Sequence, residues 1–235
     1  MIAVSSAFDG GNIECDKSDD PSDIQLRIRQ DTNAEFFQWF HFRLSGAKGS
    51  DCVMRLKNAK DASYVHGWEN YRAVASYDRE NWFRVETTYQ DGELIISHKP
   101  DFNSVYYAYF APYSMERHAD LIARLALSPR VSPSVLGKTA DGQDMDLLTI
   151  GETGGDKKNF WLIARQHPGE TMAEWWIEGF LDRLLDQHDA VSKALLKAAC
   201  FHVVPNMNPD GSRRGHLRTN ATGANLNREW QEPDM

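Results

Sequence analysis

The chain has 235 residues, of which 41% are hydrophobic and 26% charged, and its formal net charge is -8. That composition is ordinary for a soluble globular protein, and an acidic balance with no basic stretch argues against a nucleic-acid partner. No apolar run has the length of a bilayer span. Residues 1–9 lack the charged start and apolar core of a signal peptide, and the three scattered cysteines (Cys15, Cys52, Cys200) suit neither a disulfide framework nor a metal cluster, so a cytoplasmic, membrane-free setting is expected.

The first half reads as strands. Ile24, Leu26 and Ile28 alternate with polar residues, as do Cys52, Met54 and Leu56, the period-2 pattern of a half-buried strand. Residues 36–44, 71–77, 82–89, 94–97 and 105–110 are rich in aromatic and β-branched side chains, and Asp91-Gly92 marks a hairpin turn. Many short strands with polar turns predict an antiparallel β-sandwich. Its aromatics fall on alternating faces, which makes them core candidates before they are carbohydrate- or partner-binding ones.

The pattern changes near Pro112, giving expected domains of 1–112 and 113–235. Ser114 caps a predicted helix from Met115 to Leu127, which Pro129 and Pro133 close off. Strands at 146–150, 160–164 and 201–204 then alternate with helices at 171–185 and 190–199. Such alternation predicts an α/β domain with a mainly parallel sheet.

Three of the eight histidines (His66, His98, His167) have an acid three residues later, so the spacing alone is a weak signal. His66-Gly-Trp-Glu69 and His98-Lys-Pro-Asp101 read as polar residues of the β-domain. His167-Pro-Gly-Glu170 differs because it leaves an apolar strand and precedes an amphipathic helix. In open α/β sheets that is the carboxyl edge where ligands bind. An imidazole and a carboxylate aimed at one point suit Zn²⁺, whose catalytic sites often use two His and one Glu plus a water. A first-turn glutamate favoured by the helix dipole is the competing reading. Asn208-Pro-Asp-Gly211 by itself reads as a turn. Further on, Arg218 and Arg228 are two cations in a short glycine-containing stretch. A guanidinium forks onto a carboxylate, and the Asn227 amide adds a donor. A metal pair beside a carboxylate clamp describes cleavage next to a free C-terminus.

Residues 106–114, 164–170, 208–211 and 218–230 together resemble the zinc carboxypeptidases of the M14 family, and specifically the cytosolic carboxypeptidase-like branch, which has a β-rich domain ahead of the catalytic one. The resemblance implies an α/β catalytic domain with a mixed sheet and helices on both faces, C-terminally incomplete here, preceded by an antiparallel β-sandwich. It implies one Zn²⁺ per site, with His167 and Glu170 as the first two ligands. Arg218 matches the arginine that polarises the scissile carbonyl, and Asn227 and Arg228 the pair that holds the terminal carboxylate of a peptide or protein tail. Where many members carry an aspartate that orients the first zinc histidine, this chain has Asn225, which brings no charge. The family's third ligand, a histidine, and its glutamate base and substrate-binding tyrosine follow the Asn-Arg pair. Only seven residues follow Arg228, none of them His, and Glu229 and Glu232 sit too early to match. His202 and His216 read as a strand and a loop residue. The expectation is the front part of a longer enzyme, inactive alone; the alternative is a non-catalytic module that binds peptide C-terminal carboxylates.

Overall fold

Residues 1–231 are described by the computed structural model of the chain; Glu232 lies outside them. Ten strands precede the first α-helix: β1 (Ala3–Ser5), β2 (Glu14–Lys17), β3 (Ile24–Arg27), β4 (His41–Ser45), β5 (Cys52–Leu56), β6 (Val74–Ser76), β7 (Phe83–Arg84), β8 (Glu86–Gln90), β9 (Glu93–His98) and β10 (Ser104–Ala108). They form two sheets, ordered β1-β4-β10-β6-β7 and β2-β3-β5-β9-β8. The alternating side chains of β3, β5 and β9 (Leu26, Met54, Leu56, Leu94, Ile96) share one core with Phe42, Leu44, Val105 and Tyr107 of β4 and β10. Each such burial contributes about 1.5–3 kcal/mol, and together they close the sandwich. Asp91 and Gly92 both have positive φ (53° and 84°), as a type I′ hairpin between β8 and β9 requires.

One pair departs from the antiparallel expectation: β3 and β5 run parallel. The chain between them crosses to the other sheet to form β4, so the short hairpin that enforces antiparallel pairing is absent. The stretch expected as a strand from residue 36 forms one only from His41, because Phe37, Gln38, Trp39 and Phe40 are all buried and no two-sided alternation exists there.

The second half contains α1 (Met115–Ala126), β11 (Val131–Lys138), β12 (Asp144–Ile150), β13 (Lys158–Ile163), α2 (Met172–Leu185), α3 (Ala190–Ala198), β14 (Ala199–Val204) and α4 (Pro209–Arg214). Its sheet is ordered β11-β12-β14-β13. Only β13 and β14 pair in parallel; the other two pairs are antiparallel. The sheet is therefore mixed rather than mainly parallel, since the tight turn at 139–143, closed by Thr139 N–H to Gln143 O, makes β11 and β12 a hairpin. Leu148, Ile150, Phe201 and Val203 share a core with Leu121 and Leu125 of α1, Leu181 of α2 and Leu196 of α3. These four strand residues lie on one sheet face by register, so α1, α2 and α3 all pack on that face. The opposite face carries Trp161 stacked on His202 with ring centroids 4.8 Å apart, where helices were expected too.

The two halves interlock. Gly10 N–H bonds Arg213 O at 2.9 Å, Asn12 Nδ2 bonds Gly215 O at 2.8 Å, and Met115 N–H bonds an Asp9 carboxylate oxygen at 2.8 Å. A Cβ on Gly215, whose φ is +74°, would stand 2.8 Å from Gly11 O, so the approach requires glycine.

Candidate metal and carboxylate site

β13 and β14 are parallel neighbours, and the loops leaving their carboxyl ends carry His167 and Asn208 side by side. That is the edge where an open α/β sheet binds ligands. Arg165 anchors the first loop. Its guanidinium is 3% exposed and donates to Pro168 O (3.0 Å), Tyr113 O (2.6 Å) and a Glu174 carboxylate oxygen (2.8 Å). These bonds hold Arg165 at a φ of +48°, a conformation costing a non-glycine residue about 1–2 kcal/mol.

Glu174 is fully buried and also meets His118 Nδ1 at 2.6 Å, while His118 Nε2 meets an Asp146 oxygen at 3.0 Å. Burial opposes charging His118, but the hydrogen bonds and charges of Asp146 and Glu174 outweigh it and push its pKa up to about 9. Two cations thus face two carboxylates under the loop. Asn206 Nδ2 reaches Glu174 at 3.2 Å and Ser212 Oγ at 3.1 Å, tying in the second loop.

That second loop is a capped helix start rather than a bare turn. Asn208 Oδ1 accepts Gly211 N–H at 3.0 Å, Pro209 occupies the first turn of α4, and Asn208 Nδ2 donates to Gln166 O at 3.3 Å. Gly211 is pressed between loops: a Cβ there would stand 2.5 Å from Pro168 Cγ and 2.6 Å from Thr219 O.

On this base His167 Nδ1 lies 3.0 Å from Glu170 Oε1, with the His167 side chain 12% exposed and Glu170 53%. His167 Nε2 is buried with no partner among the described residues, a state shared there only with His41 and Tyr113 side chains. Two donors bound at about 2.0–2.2 Å to one tetrahedral ion stand about 3.3–3.6 Å apart, a few tenths of an ångström beyond the spacing seen. The pair therefore fits part of a zinc donor set. Among the described residues no group of three or more His, Cys, Asp or Glu could hold a metal ion.

Gly169 N–H donates to Leu217 O at 2.9 Å, which sets Arg218 beside the His167 loop. Asp31, a buried β-sandwich residue, accepts from the backbone N–H of Leu217 (2.6 Å), Arg218 (2.8 Å) and Thr219 (2.8 Å) and from Thr219 Oγ1 (3.1 Å). The Arg218 guanidinium donates to Tyr64 Oη at 2.7 Å and lies 5.6 Å from the Phe36 ring centroid. Asn225 caps the 3₁₀ turn Leu226–Arg228: its Oδ1 accepts Asn227 N–H at 3.3 Å, and its carbonyl accepts Arg228 N–H at 2.8 Å. Among the described residues no hydrogen bond joins Asn225 to His167, and none joins the Asn227 or Arg228 side chains to the His167–Glu170 pair.

The other histidines have different surroundings. His216 is buried, its Nε2 accepting Thr32 N–H at 3.1 Å and its Nδ1 donating to Thr219 O at 3.0 Å, which fixes the Nδ1–H tautomer and a structural role. His202 lies on β14 beside Thr149 and Asn159. His98 meets Tyr107 Oη at 2.8 Å and is lowered in pKa by burial; His66 sits in a 3₁₀ turn. Asp31 and Tyr64 carry no sequence signal for the site, because they lie more than 150 positions from the loop they touch.

Two family models match the chain: the cytosolic carboxypeptidase N-terminal domain over residues 4–110 and the zinc carboxypeptidase over residues 119–234. The chain belongs to the zinc carboxypeptidase family, in its cytosolic carboxypeptidase-like branch. A Zymomonas mobilis protein is 55% identical over 99% of this chain and 60% of its own length. The metallo-carboxypeptidase of Burkholderia cenocepacia superposes with a TM-score of 0.97 at 51% identity, over 99% of this chain and 63% of that one. A Pseudomonas aeruginosa metallo-carboxypeptidase, solved with (2-guanidinoethylmercapto)succinic acid, gives 0.95 at 43% identity over 99% and 62%. The chain thus spans about three-fifths of the length of these three relatives.

Proposed function

We propose that the protein is a zinc-dependent metallocarboxypeptidase acting on the C-terminal residues of peptides or protein tails in the cytoplasm, with a β-sandwich unit (1–112) ahead of the α/β unit (113–235). The observation that carries the reading is the His167–Glu170 pair at 3.0 Å on the sheet's carboxyl edge, one backbone hydrogen bond away from the Arg218 loop. His167 and Glu170 would hold the ion, which when bound polarises a carbonyl and lowers the pKa of water to about 7. Arg218 donates to the oxygen that gains charge at the scissile carbonyl; losing one such donor typically costs about 10²–10³ in rate. Asn227 and Arg228 grip the terminal carboxylate, and Asn225 matches the family position whose charged residue orients the first zinc histidine.

Two donors are fewer than the three protein ligands common in catalytic zinc sites. The 235-residue chain is therefore expected to lose zinc on dialysis and to show no turnover. Carboxylate capture without hydrolysis is the second reading, supported by the Arg218 guanidinium on the loop bonded to the His167 corner.

Calorimetry with a 2-substituted succinic acid, of the kind held by the Pseudomonas aeruginosa relative, tests both. Binding that falls about tenfold or more in Arg218→Ala and in Arg228→Ala supports a carboxylate grip. Equal binding by wild type and both variants would refute it. Chelator sensitivity separates the metal-dependent reading from plain capture.

A further inference from the structure

We infer that Tyr64, from the β-sandwich, is a ligand-binding residue that completes a two-donor grip with Arg218. The inference rests on the carboxypeptidase reading of Arg218 and adds to it a residue from outside the α/β unit. Tyr64 Oη accepts from the Arg218 guanidinium at 2.7 Å and makes no other hydrogen bond among the described residues. With its acceptor role taken by a cation, the hydroxyl has its own proton left to donate. Guanidinium and phenol then present N–H and O–H donors side by side, a pairing that suits an anionic or polarised oxygen of a peptide carbonyl or carboxylate.

The placement of Tyr64 is built rather than incidental. Its residue is 47% exposed, so core packing does not explain the ring's position. Fully buried Gln38 uses both ends of its amide to fix the Tyr64 backbone: Oε1 accepts Tyr64 N–H at 2.8 Å, and Nε2 donates to Tyr64 O at 3.0 Å. Phe36 backs the guanidinium from the same segment, and Asp31 fixes the backbone on the other side of the pair. A residue whose backbone is held this firmly, with its hydroxyl proton uncommitted beside Arg218, is arranged to meet a ligand.

The test is Tyr64→Phe, which removes one oxygen from a half-exposed ring. Affinity for the succinic acid probe is read by calorimetry, alone and in the Arg218→Ala background, together with the midpoint of thermal unfolding. The expected result is about a tenfold loss of affinity, an unmoved midpoint, and no further loss when Tyr64→Phe is added to Arg218→Ala. Unchanged affinity in Tyr64→Phe, with Arg218→Ala still weakened, overturns the inference and leaves the underlying reading standing. A loss matched by a lower midpoint and equally large in both backgrounds makes the hydroxyl structural and also overturns it. If Arg218→Ala and Arg228→Ala bind the probe as wild type does, the carboxypeptidase reading itself falls, and Tyr64 with it.

Discussion

Replacing Asp31 tests whether the β-sandwich shapes the Arg218 loop or merely precedes it. Its carboxylate is 3% exposed and takes four hydrogen bonds, three of them from consecutive backbone N–H groups. Asp31→Ala leaves those donors facing a cavity. At about 1–3 kcal/mol for each buried donor left unpaired, less what entering water restores, the loss is about 4 kcal/mol. Asp31→Asn keeps one oxygen; turned toward Arg218 and Thr219, it sacrifices the Leu217 bond and the charge, for about 2 kcal/mol. In a chain of this size each kcal/mol moves the unfolding midpoint by about 2–4 °C. The midpoint should thus fall by about 8–16 °C in Asp31→Ala and half as much in Asp31→Asn, read by calorimetry or urea titration. At temperatures where Asp31→Asn is fully folded, its affinity for the succinic acid probe should also drop, because the loop loses its Leu217 anchor and Arg218 N–H is left on a neutral amide oxygen. An Asp31→Ala midpoint within 1 °C of wild type would refute the reasoning.

Other outcomes follow from the network under the His167 loop. His118 has a folded-state pKa of about 9 against an ordinary value of 6.5, so its contribution of about 3 kcal/mol is fully present below pH 6.5 and lost as pH rises through 9. Urea midpoints from pH 6 to 10 should fall in wild type and flatten over that window in His118→Gln. Gly211→Ala places a methyl 2.5 Å from Pro168 Cγ; the overpacking should cost about 3 kcal/mol and weaken zinc uptake by displacing His167, both measurable by unfolding and metal titration. If Asn225 takes the orienting role that the family resemblance implies, Asn225→Asp supplies the charge that Asn lacks, and zinc affinity in a competition titration should rise about tenfold.

Much of the fold was legible from residue pattern. α1, α2 and α3 end within one residue of expectation, because their apolar faces and the Ser114 cap are local signals. β11 was not expected, since Pro129 and Pro133 read as breakers. Pro133 is tolerated because β11 is the sheet's edge, where a missing N–H need not break the ladder. The expected strand over 82–89 divides at Val85, whose N–H bonds Ala73 O instead of continuing β7 into β8. At the site, His167 Nδ1 and Glu170 Oε1 lie 3.0 Å apart, and the Gly169–Leu217 backbone bond joins their loop to the one that carries Arg218. What the sequence concealed is the support: buried Arg165, Glu174 and His118 and half-buried Asp146 form one network from four segments, and Asp31 and Tyr64 arrive from the other sheet system. Such pairings depend on tertiary closure, which local periodicity does not encode.

The central claim, that His167 and Glu170 form the metal end of the site, is tested most directly by zinc titration of the 235-residue chain against a chromogenic chelator. Wild type should bind one zinc weakly, and His167→Ala and Glu170→Ala should each bind at least tenfold more weakly while unfolding at the wild-type midpoint. Zinc affinity unchanged in His167→Ala would contradict the account.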